Sequence, residues 1–254
     1  MRSKAEAFLL PLAVAVCCIA GWHLAVRWSG SDIFPTPREV AAGTIELAAQ
    51  GVLFKYIVAS LFRVGAGYLL AVAVGIPAGL LMGWFERARM AFNPALQVLR
   101  PISPIAWIPV AILWFGVSDA APIFLIFLAS LFPIVTSAMA AVQNIQLNYI
   151  RAARNFGITG LDLFRKVIFP ASLPQILTGL RLALGVAWLV VVAAEMIAVN
   201  SGLGYLIIDA RNAGSRYDLV VAGMVCIGLI GMCLDLLLKQ LERHESLRWG
   251  YSAR

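Results

Sequence analysis

Six stretches of this 254-residue chain carry no charged side chain: 7–26, 64–85, 101–118, 120–150, 182–194 and 219–234. Such runs constrain the fold more than any other feature. In lipid, backbone N–H and C=O groups must find partners within the protein, so an apolar run that spans does so as a helix. Composition agrees, with a mean hydropathy of +0.88 and 13% charged residues, about half the charged share of an ordinary soluble domain. The expected fold is all-α and polytopic, with about six transmembrane helices. Six spans of about 20 residues use roughly half the chain. Residues 1–254 are therefore expected to form a single membrane domain with short connections.

The distribution of basic residues orients the spans. With the N-terminus inside, inner segments hold two Lys or Arg in 1–7, three in 85–101, five in 143–181 and four in 239–254. Outer segments hold three in 27–60 and two in 200–217. This bias places both termini in the cytoplasm. The net charge of +7 is scattered over these connections and forms no stripe of the kind nucleic acid selects, so no nucleic-acid partner is expected; membrane lipid is. Cys17, Cys18, Cys226 and Cys233 all fall in apolar runs and read as small buried hydrophobes.

Local signals refine the outline. Ser3-x-x-Glu6 caps the first span, and about 20 apolar residues without a small-x-small site exceed a cleavable signal. Thr36-Pro-Arg-Glu39 and Gly51 delimit a short surface helix from Pro37 to Gln50. Asn200-Ser-Gly-Leu-Gly204 reads as a turn before another surface helix. Pro101, Pro104 and Pro109 interrupt the third run, which is expected to be kinked or partly unwound, since each proline lacks an amide donor. Irregular backbone at membrane depth points to a permeation path, although an ordinary packed kink fits equally.

Gly67, Ala71, Gly75, Gly79 and Gly83 form a small-residue repeat suited to close helix packing. An i, i+4 repeat drifts around a straight helix, so only neighbouring turns are expected to share a face. Arg63 and Glu195 are charges at span edges and are expected to pair across antiparallel spans, because a lone intramembrane charge is costly, although separate hydration of each at the interface fits equally. Both are candidates for the path or its gate, with Ser103, Pro104, Trp107, Pro109 and Trp114 in the broken third run and Ser130 and Thr136 in the fourth. The serine and threonine fit equally as partners of the helix backbone.

The most informative segment is the long inner connection. Asn148 to Gly157 reads as a helix ending on a glycine free to turn left-handed; Thr159 and Asp162 offer a cap for a second helix, which Pro170 is expected to limit. Here the residues resemble a family. RAARNFG (151–157) and VIFPASLP (167–174) resemble the cytoplasmic coupling loop of the permease subunits of bacterial ABC importers. SLFRVGAGYLLAVAVGIPAGLLMG (60–83), LRPISPIAWIPVAILWFG (99–116) and ILTGLRLALGVAWLVVVAAEMI (176–197) resemble its nitrate, taurine and aliphatic-sulfonate branch. Arg151 stands where the family usually has glutamate.

The resemblance implies a multi-pass permease of the bacterial cytoplasmic (inner) membrane, non-catalytic itself and paired with a second permease copy. It further implies two ATP-binding subunits, which hold ATP and Mg²⁺, and an extracytoplasmic solute-binding protein. The coupling loop, about 143–177, would engage the ATPase through Tyr149, Arg151, Ala152, Ala153, Arg154, Phe156, Gly157, Leu161, Asp162, Phe164, Pro170 and Pro174. The implied solutes are small anions or zwitterions: sulfonates, taurine, nitrate or bicarbonate. No cofactor or metal is expected in the chain itself, and none of its four lysines follows a glycine, so no phosphate-binding Gly-Lys-Ser/Thr loop exists. An ion-coupled secondary transporter is the alternative; it would ordinarily bury more ionisable residues. An intramembrane serine protease built on Ser201 fails for lack of a base, because the histidines, His23 and His244, belong to the first span and the C-terminal tail.

Overall fold

The computed structural model describes residues 4–30, 33–212 and 214–242; Ser3, expected as the first cap, and the tail containing His244 lie outside them. The order is α1 (Lys4–Ser29), α2 (Pro37–Ala49), α3 (Val52–Trp84), α4 (Glu86–Leu99), a 3₁₀ turn (Pro104–Trp107), α5 (Ile108–Phe115), α6 (Ala120–Gln143), α7 (Leu147–Asn155), α8 (Gly160–Leu163), a π turn (Phe164–Ile168), α9 (Phe169–Ala198), α10 (Leu203–Asn212) and α11 (Tyr217–Glu242). Among the described residues, five helical stretches are long and apolar enough to cross a membrane. A sixth span forms only if α4 and the Pro104–Phe115 segment, bent by 84°, count as one. The third run is thus broken outright, because two closely spaced prolines and an extended Ser103 interrupt the amide ladder.

Helix α3 begins at Val52, well before its charge-free run. Lys55, read as part of a connection, is therefore helical, and 33 residues make a helix of about 50 Å, longer than the roughly 30 Å hydrocarbon core. The preceding surface helix has the expected capping box, with Glu39 N–H donating to Thr36 Oγ1 and Thr36 N–H donating to Glu39 Oε2 at 2.7 Å. Gly51 takes a φ of +70° and turns the chain into α3.

The bundle centres on α3, α6 and α9. The glycine stripe of α3 meets α6 along its whole length: Gly67 lies on Ile126, Gly75 on Ile134, Gly79 on Ala138 and Gly83 on Val142. The expected drift does not separate the turns. The partners on α6 also recur every four residues, so matching i, i+4 rows interdigitate and the helices wrap around each other. Without a hydrophobic drive between helices in lipid, this close approach supplies van der Waals attraction that larger side chains would prevent. Ser137 lies against Gly179 of α9 and donates to Gln175 O at 3.1 Å, extending the contact to the third helix.

Helix α10 is half-buried rather than superficial, with Leu203, Leu206, Ile207 and Ala210 inward. Helix α1 stands apart, its apolar side chains largely exposed. Of the cysteines only Cys226 is buried; Cys17, Cys18 and Cys233 are exposed, because α1 and the outer side of α11 turn their apolar residues away from the bundle.

Candidate functional site

Two sites lie at opposite ends of the bundle. At the first, Ser60 and Arg63 share one face of α3 because three residues make nearly one turn. Asp119 stands at the start of α6, Glu195 near the end of α9, and Ser201 in the turn before α10. Arg63 is 2% exposed and Glu195 fully buried. They pair at 2.6 Å, so of the two expected arrangements the structure has the ion pair and not separate hydration.

Arg63 uses every donor it has. Nε and Nη2 donate to Asp119 Oδ1 at 2.8 and 2.6 Å, Nη1 to Glu195 Oε1 at 2.6 Å and to Ser201 O at 2.7 Å, and Nη2 also to Ser201 Oγ at 2.6 Å. A guanidinium has five N–H groups, and five bonds are made. Glu195 is equally engaged: Ser60 Oγ approaches its two oxygens at 2.9 and 2.8 Å, and Gly204 N–H donates to Oε2 at 3.0 Å. Leu203 N–H donates in turn to Ser60 Oγ at 2.9 Å. The carboxylate thus accepts from one amide in the first turn of α10, where the helix dipole favours negative charge, while the neighbouring amide holds Ser60.

This clasp ties α3, α6, α9 and α10 at one point. Gly202, at φ +106°, and Gly204 make room for it, since a Cβ on Gly202 would run into the Glu195 carboxylate and one on Gly204 into Val192 O. Residues 200–204 are consequently more than a connector. Sequence reasoning identified Arg63 and Glu195 but missed Ser60, Asp119 and the backbone of 201–204. One signal was available: Asp119 is the single charge separating two long apolar runs.

Nearby, Arg216 donates to Glu46 of α2 at 2.7 Å and to Asp218 of α11 at 2.8 Å. Hydrogen bonds to Asp218 first, then Glu46, hold its guanidinium further above the ordinary arginine value. These groups are largely exposed, so the link is worth little beyond position.

At the opposite end α7, Gly157 and α8 form a protrusion. Gly157 takes a φ of +76°, the left-handed turn expected. Ile158 N–H bonds back to Ala153 O at 3.0 Å. Ala153, Leu163 and Ile168 are buried and anchor the loop to Leu80, Ala138 and Val142. Tyr149 (53% exposed), Phe156 (85%) and Leu161 (62%) point outward, as do Arg151, Ala152 and Arg154. Phe164 turns inward, its ring edge-on to Trp84 at 6.4 Å.

Two local expectations fail. The Thr159 side chain makes no capping bond, and Asp162 pairs instead with Lys166 at 2.8 Å, one helical turn on. Pro170 does not limit the helix but lies within the continuous helical stretch Gly160–Ala198, just past the π turn at Phe164–Ile168, and Pro174 lies within it too.

The other candidates divide into separate places. Trp107 and Trp114 border one cavity of about 250 Å³ with Phe124 and Phe132. Ser103, Pro104 and Pro109 form the elbow of the broken segment. Thr136 donates to Phe132 O at 2.9 Å, a bond within its own helix. Ser130 is buried in the α6 row that faces α3, and its hydroxyl has no partner among the described residues.

A multi-pass bundle with a proline-broken span, a buried ionic clasp and an anchored protrusion has the architecture of a membrane permease. The model of the family "binding-protein-dependent transport system inner membrane component" matches residues 75–246, and the chain belongs to that family. It is a transport permease component of the inner membrane, and its relatives are ABC transporter permeases. A putative ABC transporter permease of Methanocaldococcus jannaschii is 37% identical over 95% of this chain and 92% of that one. The nitrate import permease of Leptolyngbya laminosa is 38% identical over 90% and 84%. The taurine transport permease of Escherichia coli is 37% identical over 91% and 86%. In fold, the chain is similar to the methionine ABC transporter MetNI in an inward-facing conformation, with a TM-score of 0.61 and 18% identity over 76% of this chain and 97% of that one.

Proposed function

We propose that this permease is one of two identical membrane subunits of an ATP-driven importer. Both termini and the Tyr149–Pro174 loop face the cytoplasm, and the clasp lies toward the outside. The loop contacts an ATPase subunit, one per permease copy, and those subunits hold ATP and Mg²⁺. A solute-binding protein delivers the cargo at the other face, a small anion or zwitterion of the sulfonate, taurine, nitrate or bicarbonate type. The observation that carries this reading is the protrusion, anchored by Ala153, Leu163 and Ile168 while Tyr149 and Phe156 stay exposed. Exposed aromatic and apolar groups on a rigid base are what a docking partner buries.

Within this reading Arg63 and Glu195 act at the gate and not as solute ligands. Every guanidinium donor is already spent inside the chain, so a passing anion would have to displace a protein carboxylate. The Trp107–Trp114 elbow supplies an irregular wall for the path.

Intact-mass analysis of the complex recovered through a tag on this chain tests the proposal. Two permease copies with two ATPase chains, and uptake that requires ATP, are expected. A preparation without a nucleotide-binding chain that transports in vesicles without ATP would establish the ion-coupled alternative.

A further inference from the structure

Between the protrusion-side end of α3 and the α8–α9 junction lies an open cavity of about 720 Å³ whose lining residues are all apolar or glycine. Ile76, Pro77 and Leu81 form one wall, and Leu161, Phe164 and Phe169 the other. Leu81, Phe85, Leu161 and Phe169 remain 38–62% exposed. The π turn at 164–168 sets Phe164 and Phe169 as the second wall; such turns recur at functional sites.

Three observations select an occupant. First, Ile76–Leu81 belong to the apolar stretch of a spanning helix, and Trp84 and Phe85 close it, the position where aromatic residues mark the boundary between acyl chains and headgroups. The cavity therefore opens at that depth. Second, its walls offer a hydrated solute no donor, and an apolar cavity of this size favours an apolar ligand over water. Third, the exposed Arg87 and Arg165 follow the lining residues Phe85 and Phe164 within two positions, one on each wall. The neighbouring carboxylates are each bonded to another cation, Glu86 to Arg89 and Asp162 to Lys166, and Asp162 keeps only a weaker, unbonded attraction to Arg165. Arginine suits phosphate oxygens through paired N–H bonds.

We infer that this cavity binds an anionic glycerophospholipid, with one acyl chain between α3 and the α8–α9 junction and the phosphate held by Arg87 and Arg165. The second wall continues from Gly157 and the protrusion. A bound chain therefore braces that element against α3. This consequence rests on the function proposed above, whereas the binding itself does not.

The test is photolabelling of the purified intact complex in nanodiscs with phosphatidylglycerol carrying a diazirine on its acyl chain. Labelling should concentrate in residues 76–85 and 160–169. Unlabelled phosphatidylglycerol should compete better than phosphatidylcholine by about thirtyfold, the preference two cations near a surface confer. Leu81→Trp, which narrows the cavity from the α3 wall, should weaken the labelling while the complex keeps its melting temperature. The double change Arg87→Gln, Arg165→Gln should abolish the headgroup preference. Labelling spread over all spans, competition without headgroup preference in the unmodified complex, or crosslinking of a photoreactive residue at 81 to protein instead of lipid would each overturn the inference. None of these readouts requires ATP or solute, so a failure here is separable from a failure of the proposed function.

Discussion

Replacing Arg63 by Met should be far more damaging than replacing Glu195 by Gln, although the two residues form one ion pair. The asymmetry follows from their other partners. Arg63 contacts two carboxylates, and Asp119 is 57% exposed, so losing the Glu195 charge leaves the guanidinium paired. The glutamine of Glu195→Gln would keep the shape of the site, but its one oxygen can accept from Gly204 N–H or from Arg63 and not from both, so one charge-assisted hydrogen bond is lost, about 1.5–3 kcal/mol, and Arg63 turns to Asp119 and Ser201. Removing Arg63 instead leaves Glu195 fully buried with Ser60 and Gly204 as its remaining bonded partners and no cation. An uncompensated buried charge costs about 3–5 kcal/mol. Asp119 adds little, since solvent already reaches it. For a chain of this size the loss of Arg63 lowers the melting temperature by roughly 6–20 °C. Exchanging both residues, Arg63→Met with Glu195→Leu, should recover most of the loss, because an apolar pair replaces the ionic one without leaving a charge behind. The assay is thermal unfolding of the purified complex by tryptophan fluorescence at one scan rate. A Glu195→Gln loss as large as that of Arg63→Met, or a double variant no better than Arg63→Met alone, would refute the reasoning.

Other expectations concern single positions. Gly157→Val meets no steric obstacle, but its φ of +76° penalises any side chain by roughly 1–2 kcal/mol; the complex should assemble and hydrolyse ATP while uptake falls, and unaltered uptake by vesicles would sink the coupling role. In Gly79→Ala the new methyl would sit 2.6 Å from both Ala138 Cβ and Val135 O. Overpacking there should cost about 1–3 kcal/mol, read as a lower melting temperature; an unchanged value would mean the α3–α6 contact is looser than described. Ser130→Ala should be neutral or stabilising by up to about 1 kcal/mol, because the hydroxyl it removes is buried and unpartnered. A clear loss of stability would reveal a hidden partner for that oxygen.

What could be read from the chain alone was whatever depends on local chemistry. Charge-free runs announce spans because lipid leaves the backbone no partner but itself. Thr36-Pro-Arg-Glu39 announces a cap, and Gly157 a left-handed turn, because both depend on a few adjacent residues. The prolines at 101–109 show that the third span is interrupted, though not that it bends by 84°. Pro170 defeats the same local logic: the helix runs through it, past a π turn that loosens the bonding just before it.

The clasp was half legible. Arg63 and Glu195 stand out as charges beside apolar runs, and the cost of an isolated charge implies a pairing. Asp119, Ser60, Ser201 and the amides of Leu203 and Gly204 reach them only because the third turn of α3, the start of α6, the end of α9 and the 199–204 turn lie at the same height. That height is set by the wrapping of matching four-residue rows on α3 and α6. The drift of the glycine stripe depends on the path of both helices together, and one sequence segment contains only one of them. Local patterns thus determined which residues cross the membrane and where the chain turns. Which side chains meet at the clasp was decided by the tertiary structure, since contacts between residues up to 143 positions apart depend on how whole helices pack.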